Sequence, residues 1–238
     1  MDTAQYKRGV MKTLSIKPAK EGLRYAARNT GRTNLLHGAV GLATEAMELL
    51  GAAQQYLLDG RMTSEARAAV VDELGDCGYY LVVMAKTLKV KVPGSGKKLK
   101  IVGTRGKALL DFLHLAERIL SSQKKVFYGV KTMDNPALPG RLVLDPAAQA
   151  EVDAGWAEVL KPLIVAALDL YARLSHDLTG GSAAEVMDAN IAKLTLRYGA
   201  GFFDQVKASA EKDKQAEAAA QAPVAAKTSK VAKAKAPA

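Results

Sequence analysis

The stretch VVDELGDCGYYLVVMA, residues 70–85, places three carboxylates in an otherwise apolar segment that has no Lys or Arg. Glu73 and Asp76 are three residues apart, so a helix would hold them on one face, while Asp72 points elsewhere. Carboxylates that lose hydration without gaining a partner are disfavoured in their charged form. The stretch therefore predicts a buried helix and raises the question of what neutralises its acids.

A second acid pair, Glu45 and Glu48, lies in the helical pattern that precedes this stretch. Gly60, in the segment DGRM, predicts a turn between the two helices. Glu48 lies 12 residues before Gly60, and Glu73 lies 13 residues after it. Because an α-helix rises about 1.5 Å per residue, an antiparallel hairpin brings the two pairs to similar heights. The spacing thus predicts a cluster of four carboxylates, completed by Asp76.

The helix with the first acid pair has no cation of its own, since residues 33–60 contain no Lys or Arg. A hard divalent cation would neutralise the cluster directly. Mg²⁺ prefers oxygen ligands and keeps several waters, which leaves room for phosphates. We therefore expect a site for Mg²⁺, for which Mn²⁺ can substitute, formed by Glu45, Glu48, Glu73 and Asp76. The alternative is that both pairs are ordinary exposed charges.

Helical patterns dominate the rest of the chain, and abundant Ala with few aromatic residues also favours helices. Residues 127–146 are interpreted as a loop with turns, and no convincing strand pair is visible, so the predicted class is all-α. The candidate N-cap residues are Asn34, Thr63 or Ser64, and Ser182. The predicted helices cover about residues 34–58, 64–89, 107–125, 147–178 and 183–198.

The chain is basic, with a formal net charge of +10. Residues 204–238 form a low-complexity Ala/Lys-rich tail that we expect to be disordered. A basic surface suits nucleotides, nucleic acids or another polyanion, without choosing among them. No apolar run approaches the length of about 18 residues that spans a membrane, and the N-terminus lacks a signal-peptide pattern. With Cys77 as the single cysteine, we expect a cytoplasmic protein with no membrane partner.

Two motifs, GLATEAMELL at 41–50 and DELGDCGYYL at 72–81, resemble those of the MazG-like all-α NTP pyrophosphohydrolases, whose pattern is ExxE, a spacer and ExxD. ANIAKLTLRYGAGF at 189–202 resembles the closing helix of that family, and QKKVFYGVK at 123–131 resembles a further block. The lead-in NLLHGAVG is similar to that of phage-encoded members, which would place the protein in a host cytoplasm. The resemblance implies a four-helix-bundle-type core and Mg²⁺-dependent conversion of an NTP to NMP and pyrophosphate.

The order of the blocks departs from the family, because KK…FYG lies between the acid pairs in compact members and follows both here. We interpret this as a tandem duplication. Residues 1–32 would be an N-terminal extension, 33–90 the first unit with the acids, 91–106 a linker and 107–203 a second unit without acids. One chain would then mimic the family's dimer as a pseudo-dimer, unless it forms a homo-oligomer.

The resemblance also implies that the four acids are the catalytic residues. Asn190, Lys193 and Arg197 share one helical stripe, and the cations would hold phosphates while the amide contacts sugar or base. Their alternative role is a solvated basic face. The other expected substrate contacts are His37, Lys124, Lys125 and Tyr198. The alternative for His37, and the more common role of such a histidine, is a packed, hydrogen-bonded residue without a role in binding.

Two functions follow from these observations. The first is Mg²⁺-dependent hydrolysis of (d)NTP to (d)NMP and pyrophosphate. The alternative is a non-catalytic or degenerate MazG-like helical protein whose Lys-rich tail contacts nucleic acid. The apolar setting of the acids favours the enzyme. Cys77 is expected to be a buried, inert thiol, and Trp156, Tyr79 and Tyr80 are expected in the core, with base stacking as the alternative for the tyrosines.

Overall fold

The computed structural model describes residues 29–92, 100–128, 132–135 and 138–198, and gives the backbone alone at 59, 126–128, 132–135, 138–144, 146, 197 and 198. Over these residues the chain forms five helices and a two-stranded hairpin. The helices are α1 (Thr30–Asp59), α2 (Ser64–Thr87), α3 (Arg105–Tyr128), α4 (Pro146–Thr179) and α5 (Ala183–Tyr198), and the strands are β1 (Thr132–Asn135) and β2 (Leu138–Leu144). The all-α prediction is confirmed for the helical body, whereas the tail lies outside the described residues.

The first two helices begin and end at local capping signals. The Asn29 side chain accepts a hydrogen bond from the Arg32 backbone N–H, so α1 starts earlier than the predicted cap at Asn34. Gly60 ends α1 in the left-handed region, with φ 72°, which glycine adopts without steric cost. Thr63 then caps α2 by accepting from the Ala66 N–H, as predicted. Four residues therefore suffice to reverse the chain into a helical hairpin.

The last two helices are capped in the same way. Asp145 accepts from the N–H groups at the start of α4, directly before Pro146, and Gly180 ends α4 with φ 69°. Ser182 and Glu185 form a capping box at α5: the Ser182 N–H donates to Glu185 Oε2 at 2.8 Å, and the Glu185 N–H donates to Ser182 Oγ at 3.3 Å. These signals determine where α4 ends and where α5 begins, and from there α5 runs back towards α2.

The segment between α3 and α4 is a β-hairpin, so the prediction of a loop without strands was wrong there. Strands β1 and β2 are antiparallel, with Thr132 opposite Leu144 and Asp134 opposite Leu142. The pairing is irregular between Asp134 and Asn135. Strands this short give little periodic signal, because strand formation depends on the cross-strand partner.

The four longer helices contact one another in a ring. Helix α1 packs on α2 and α3, α4 packs on the other side of the same two helices, and α5 lies mainly on α2. A single core fills the ring with side chains from all five helices, including Leu42, Leu74, Phe112, Ile164 and Val186. Both predicted units thus contribute to one core, while the duplication itself stays a prediction. Within the described residues, no helix is long and apolar enough to cross a membrane.

Candidate metal centre

Three of the four predicted acids converge between α1 and α2. Glu45, Glu73 and Asp76 each offer a carboxylate oxygen, and these oxygens lie within 4.8 Å of one another. All three side chains are half-buried. The structure thus brings together three of the acids that the hairpin spacing places at similar heights. We call Glu45, Glu73 and Asp76 the carboxylate cluster.

Glu48, the fourth predicted acid, is exposed and does not belong to this close group. It is still near enough that its charge raises the pKa values of Glu45 and Glu73. The structure therefore places Glu48 at the edge of the carboxylate cluster, and its role as a ligand stays a prediction.

The charges of the cluster are poorly compensated. Burial, followed by repulsion from Asp72 and Glu48, raises the pKa of Glu73 to about 8. Burial, then repulsion from Asp76 and Glu48, also raises the pKa of Glu45, although a hydrogen bond with Glu73 acts in the opposite direction. No Lys, Arg or His in the described part of the chain forms an ion pair with Glu45, Glu48 or Glu73. Positive charge at this point would be strongly stabilised.

Helix α5 supplies the cation that the acidic stretch lacks. Lys193 is only 1% exposed, and its Nζ donates to Asp76 Oδ2 at 2.7 Å and also to Asp72. Burial alone would lower the pKa of Lys193, but Asp76 and Asp72 outweigh it, so the pKa is raised and the amine stays charged. Asn190 Nδ2 donates to Asp76 Oδ1 at 2.6 Å. The single positive charge of Lys193 thus faces two of the five neighbouring acids, Asp72 and Asp76, and leaves the group with net negative charge.

These contacts differ from those expected for the α5 stripe. Lys193 and Asn190 are buried and hold carboxylates, whereas the sequence suggested that they face phosphates, sugar or base. Lys193 lies 117 residues after Asp76, so no local pattern could reveal the pairing. The side chains of Arg197 and Tyr198 lie outside the described residues, and their substrate contacts stay predictions.

Two glycines of α2 allow this arrangement. A Cβ on Gly75 would lie 2.8 Å from Asn190 Cβ, and a Cβ on Gly78 would lie 2.5 Å from the Tyr171 hydroxyl oxygen. Carbon atoms in contact are normally about 3.5–4.0 Å apart. Any larger residue at Gly75 would hold α5 away from α2, and Lys193 with it.

A cluster of aromatic rings lies one to two helical turns from the acids. Tyr80 packs against Gly41 and makes edge-to-face contacts with His37 at 5.3 Å and with Tyr79 at 5.2 Å, measured between ring centroids. His37 is exposed, and Tyr79 is 39% exposed. Tyr79 is therefore not a core residue, contrary to expectation, and its ring is accessible to solvent about one helical turn after Asp76.

Lys124 and Lys125 are not brought to the acids. Both are exposed at the end of α3, next to Gln123, which lines a cleft together with Arg32 of α1. Arg32 lies 13 residues before Glu45, which corresponds to about 20 Å along α1. The structure therefore does not bring Lys124 and Lys125 to the carboxylate cluster, because α3 carries them to the opposite end of the ring, and their contact with substrate stays a prediction.

Cys77 is buried, as predicted. Burial, with repulsion from Glu45 and Glu73, raises the pKa of its thiol well above the ordinary value, so the reactive thiolate is disfavoured. Trp156, in contrast, is only half-buried and lines the distant cleft, which differs from its expected place in the core.

No protein-family model, no curated protein and no solved structure matches this chain.

Proposed function

We propose that this protein is a Mg²⁺-dependent nucleoside triphosphate pyrophosphohydrolase of the MazG-like class, which converts a (d)NTP to (d)NMP and pyrophosphate. The observation that carries the proposal is the convergence of three carboxylates, Glu45, Glu73 and Asp76, from two antiparallel helices. Their negative charge exceeds the single positive charge that Lys193 supplies. The ExxE and ExxD spacing of these acids, and the resemblance that it implies, supports the same class.

The donor set suits a hard cation. Carboxylate oxygens are the ligands of Mg²⁺ and Mn²⁺, whereas zinc sites usually include His or Cys. The nearby thiol of Cys77 is buried with a raised pKa, and His37 lies about two turns before Glu45 and packs on Tyr80. Glu45, Glu73 and Asp76 would therefore hold the ion, with Glu48 at the edge of the site.

Hydrolysis at the α-phosphorus needs positioning and charge stabilisation rather than a covalent intermediate. When bound, Mg²⁺ neutralises phosphate charge and lowers the pKa of a water. Glu48 is exposed and can accept a hydrogen bond from the attacking water. Lys193 and Asn190 each donate to a different oxygen of Asp76, so we assign them to positioning this carboxylate. Tyr79 offers an accessible ring on which a base can stack.

Product analysis tests the reaction class. The protein is incubated with each NTP and dNTP, in Mg²⁺ or in EDTA, and the products are separated by chromatography. We expect NMP and pyrophosphate in Mg²⁺ alone. Release of inorganic phosphate with NDP would mean a different hydrolase. Absence of turnover together with salt-sensitive DNA binding would support the alternative, a non-catalytic helical binding protein.

Substitutions test the site itself. Glu45→Gln and Glu73→Gln keep the side-chain size but remove the charge, so each should lower kcat by about a hundredfold or more. Glu117→Gln is the matched control, because Glu117 is an exposed acid on α3. Equal activity of the three variants would contradict the assignment of the carboxylate cluster.

A further inference from the structure

The end of the helical ring remote from the carboxylate cluster carries a group of exposed lysines. At this end α2 and α3 finish, α1 and α4 begin, and residues of all four helices line the cleft that contains Trp156. The lining includes Thr87 and Leu88 of α2 and Gln123 of α3. The lysines that flank these lining residues along the chain are all exposed, and we call them the basic rim: Lys86, Lys89, Lys91, Lys124 and Lys125.

The charges of the basic rim are not compensated within the described part of the chain. No acid there forms an ion pair with a lysine of the rim. Lysines elsewhere in the helices differ, because Lys107, Lys161 and Lys193 each pair with a carboxylate. Asp153, the acid that lines the cleft, already receives a hydrogen bond of 3.0 Å from Arg32 Nε. The rim therefore keeps its positive charge for an external anion.

Lys89 adopts a backbone conformation that usually selects glycine. Its φ is 57°, and among the described residues it is the one non-glycine residue with a positive φ. It occupies the left-handed position of a helix-ending motif, in which the Val90 N–H donates to the Ala85 carbonyl at 2.8 Å. Glycine would end α2 at lower steric cost. A lysine at this strained position indicates that its side chain serves a purpose other than ending the helix.

The rim suits an extended anion better than a small one. A site for a single phosphate usually relies on converging donors, such as a helix N-terminus or the fork of an arginine. The N-termini of α1 and α4 are already capped by the side chains of Asn29 and Asp145. The nearby guanidinium of Arg32 is paired with Asp153. Lysines at two separate helix ends are point charges on flexible stems, which suits the repeated phosphates of a nucleic-acid backbone.

Trp156 adds an aromatic face between the lysines. It is half-buried and lines the open cleft, whose volume is about 190 Å³. Proteins hold single strands with aromatic side chains in a positively charged groove, because bases stack on the rings while the cations follow the backbone. A base of a single strand is free to enter a recess, whereas duplex bases are stacked on one another and a flat lipid surface does not reach a recessed ring. The cleft therefore favours a single strand over a duplex or an anionic membrane.

We propose that this end of the helical ring binds single-stranded nucleic acid. The basic rim contacts phosphates along the strand, and Trp156 stacks on a base that enters the cleft. The surface lies about 20 Å from Glu45 along α1, and it shares no residue with the carboxylate cluster. The proposal therefore does not depend on the proposed enzymatic function.

Oligothymidylate of about ten nucleotides is the probe, a length close to the site sizes of known single-strand-binding folds. The full chain is titrated in EDTA, so that no metal occupies the carboxylate cluster. Binding is followed by the anisotropy of the labelled strand and by the fluorescence of Trp156, the one tryptophan in the chain. We expect saturable binding that weakens as salt is raised, with quenching of Trp156. A duplex of the same length and vesicles that contain phosphatidylserine should bind more weakly.

Two double variants with the same loss of charge locate the interaction. The test variant combines Lys89→Gln with Lys124→Gln, one lysine from each side of the rim. The control combines Lys100→Gln with Lys107→Gln, because Lys107 begins α3 and the Lys100 carbonyl accepts from Arg173, late in α4. Both variants keep the Lys-rich tail, so the tail cannot cause a difference between them.

The expected difference follows from counterion release. Each phosphate contact of a single strand contributes about 0.7 to the slope of log K against log salt. The test variant should therefore lose about 1.4 from this slope and bind about tenfold or more weakly at about 0.1 M salt, while the control keeps the slope of the parent protein. Lys89→Gly should raise the urea midpoint, because it relieves the left-handed backbone, and should still weaken binding.

Four results would overturn the proposal. The first is the absence of saturable binding of the oligonucleotide. The second is an equal slope and affinity in the test and control variants. The third is binding that leaves the fluorescence of Trp156 unchanged, or equal quenching by inorganic polyphosphate, which has no bases. The fourth is a duplex or a vesicle that binds as tightly as the single strand.

Discussion

Replacing Gly75 by alanine should destabilise the protein, although alanine is the better helix former. Gly75 lies inside α2, where its Cα faces Asn190 of α5. The added Cβ would lie 2.8 Å from Asn190 Cβ and 2.9 Å from Asn190 Nδ2. Because Cβ is attached directly to the backbone, rotation of the Asn190 side chain cannot remove the first contact. Helix α5 must shift.

The size of the effect follows from this shift. Restoring a normal carbon–carbon distance requires a movement of about 1 Å. Lys193 lies one turn after Asn190, so its 2.7 Å bond to Asp76 would lengthen beyond the usual limit of about 3.2 Å for a hydrogen bond. Overpacking of this kind costs about 1–3 kcal/mol, while the better helix propensity returns up to about 1 kcal/mol. We expect a net loss of about 1–2 kcal/mol.

Urea unfolding of Gly75→Ala, of a control variant and of the parent protein measures the difference in the free energy of unfolding, provided that the m-value is unchanged. Gly51→Ala is the matched control, because Gly51 is an exposed position in α1 and no described atom lies within 4 Å of a Cβ there. It should be stabilised by about 0.5–1 kcal/mol through propensity and the unfolded state. If Gly75→Ala is as stable as Gly51→Ala, the close approach of α5 does not hold.

Three further predictions concern the carboxylate cluster and the residues that surround it. Lys193→Met leaves Asp72 and Asp76 without their cation, and because both carboxylates are partly exposed, urea unfolding in EDTA should show a loss of about 1–3 kcal/mol that Mg²⁺ partly restores; equal losses in both conditions would contradict this. The pKa of Glu73 is raised from the ordinary value of 4.5 to about 8 in the folded protein. The contribution of its protonated form to the stability of the metal-free fold is therefore complete below pH 4.5 and is lost as the pH rises from 4.5 through about 8. The gain in Tm from Mg²⁺ should therefore increase with pH over this interval, and a constant gain would refute the coupling. The Cys77 thiol should react with an aromatic disulfide reagent only after unfolding, because it is buried with a raised pKa; rapid labelling of the native protein would disprove its burial.

Much of the helical layout could be predicted from residues that act locally. Gly60, Thr63 and Ser182 mark helix ends through short-range hydrogen bonds and backbone conformation, which do not depend on distant contacts. The start of α1 was misplaced because Asn34 and Asn29 carry the same capping signal, and the chain uses the earlier one. The hairpin at 132–144 was missed because each strand depends on its partner.

The carboxylate cluster was predictable for a similar reason. The turn at Gly60 is short, and helical rise is constant, so the distance of each acid from the turn determines its height. Glu45, Glu73 and Asp76 meet as this arithmetic requires. The rotation of each helix about its axis is not part of the arithmetic, and Glu48 is exposed at the edge rather than within the close group.

The amino-acid sequence by itself determined the helices, the antiparallel hairpin of α1 and α2, and the shared height of the acids, because these depend on capping, period and rise. Only the tertiary structure decided which cation meets them. Lys193 reaches Asp72 and Asp76 because Gly75 lets α5 approach α2, and this contact joins residues more than a hundred positions apart. The cleft beside Gln123 and Trp156 arises in the same way, since four helices must pack before it exists.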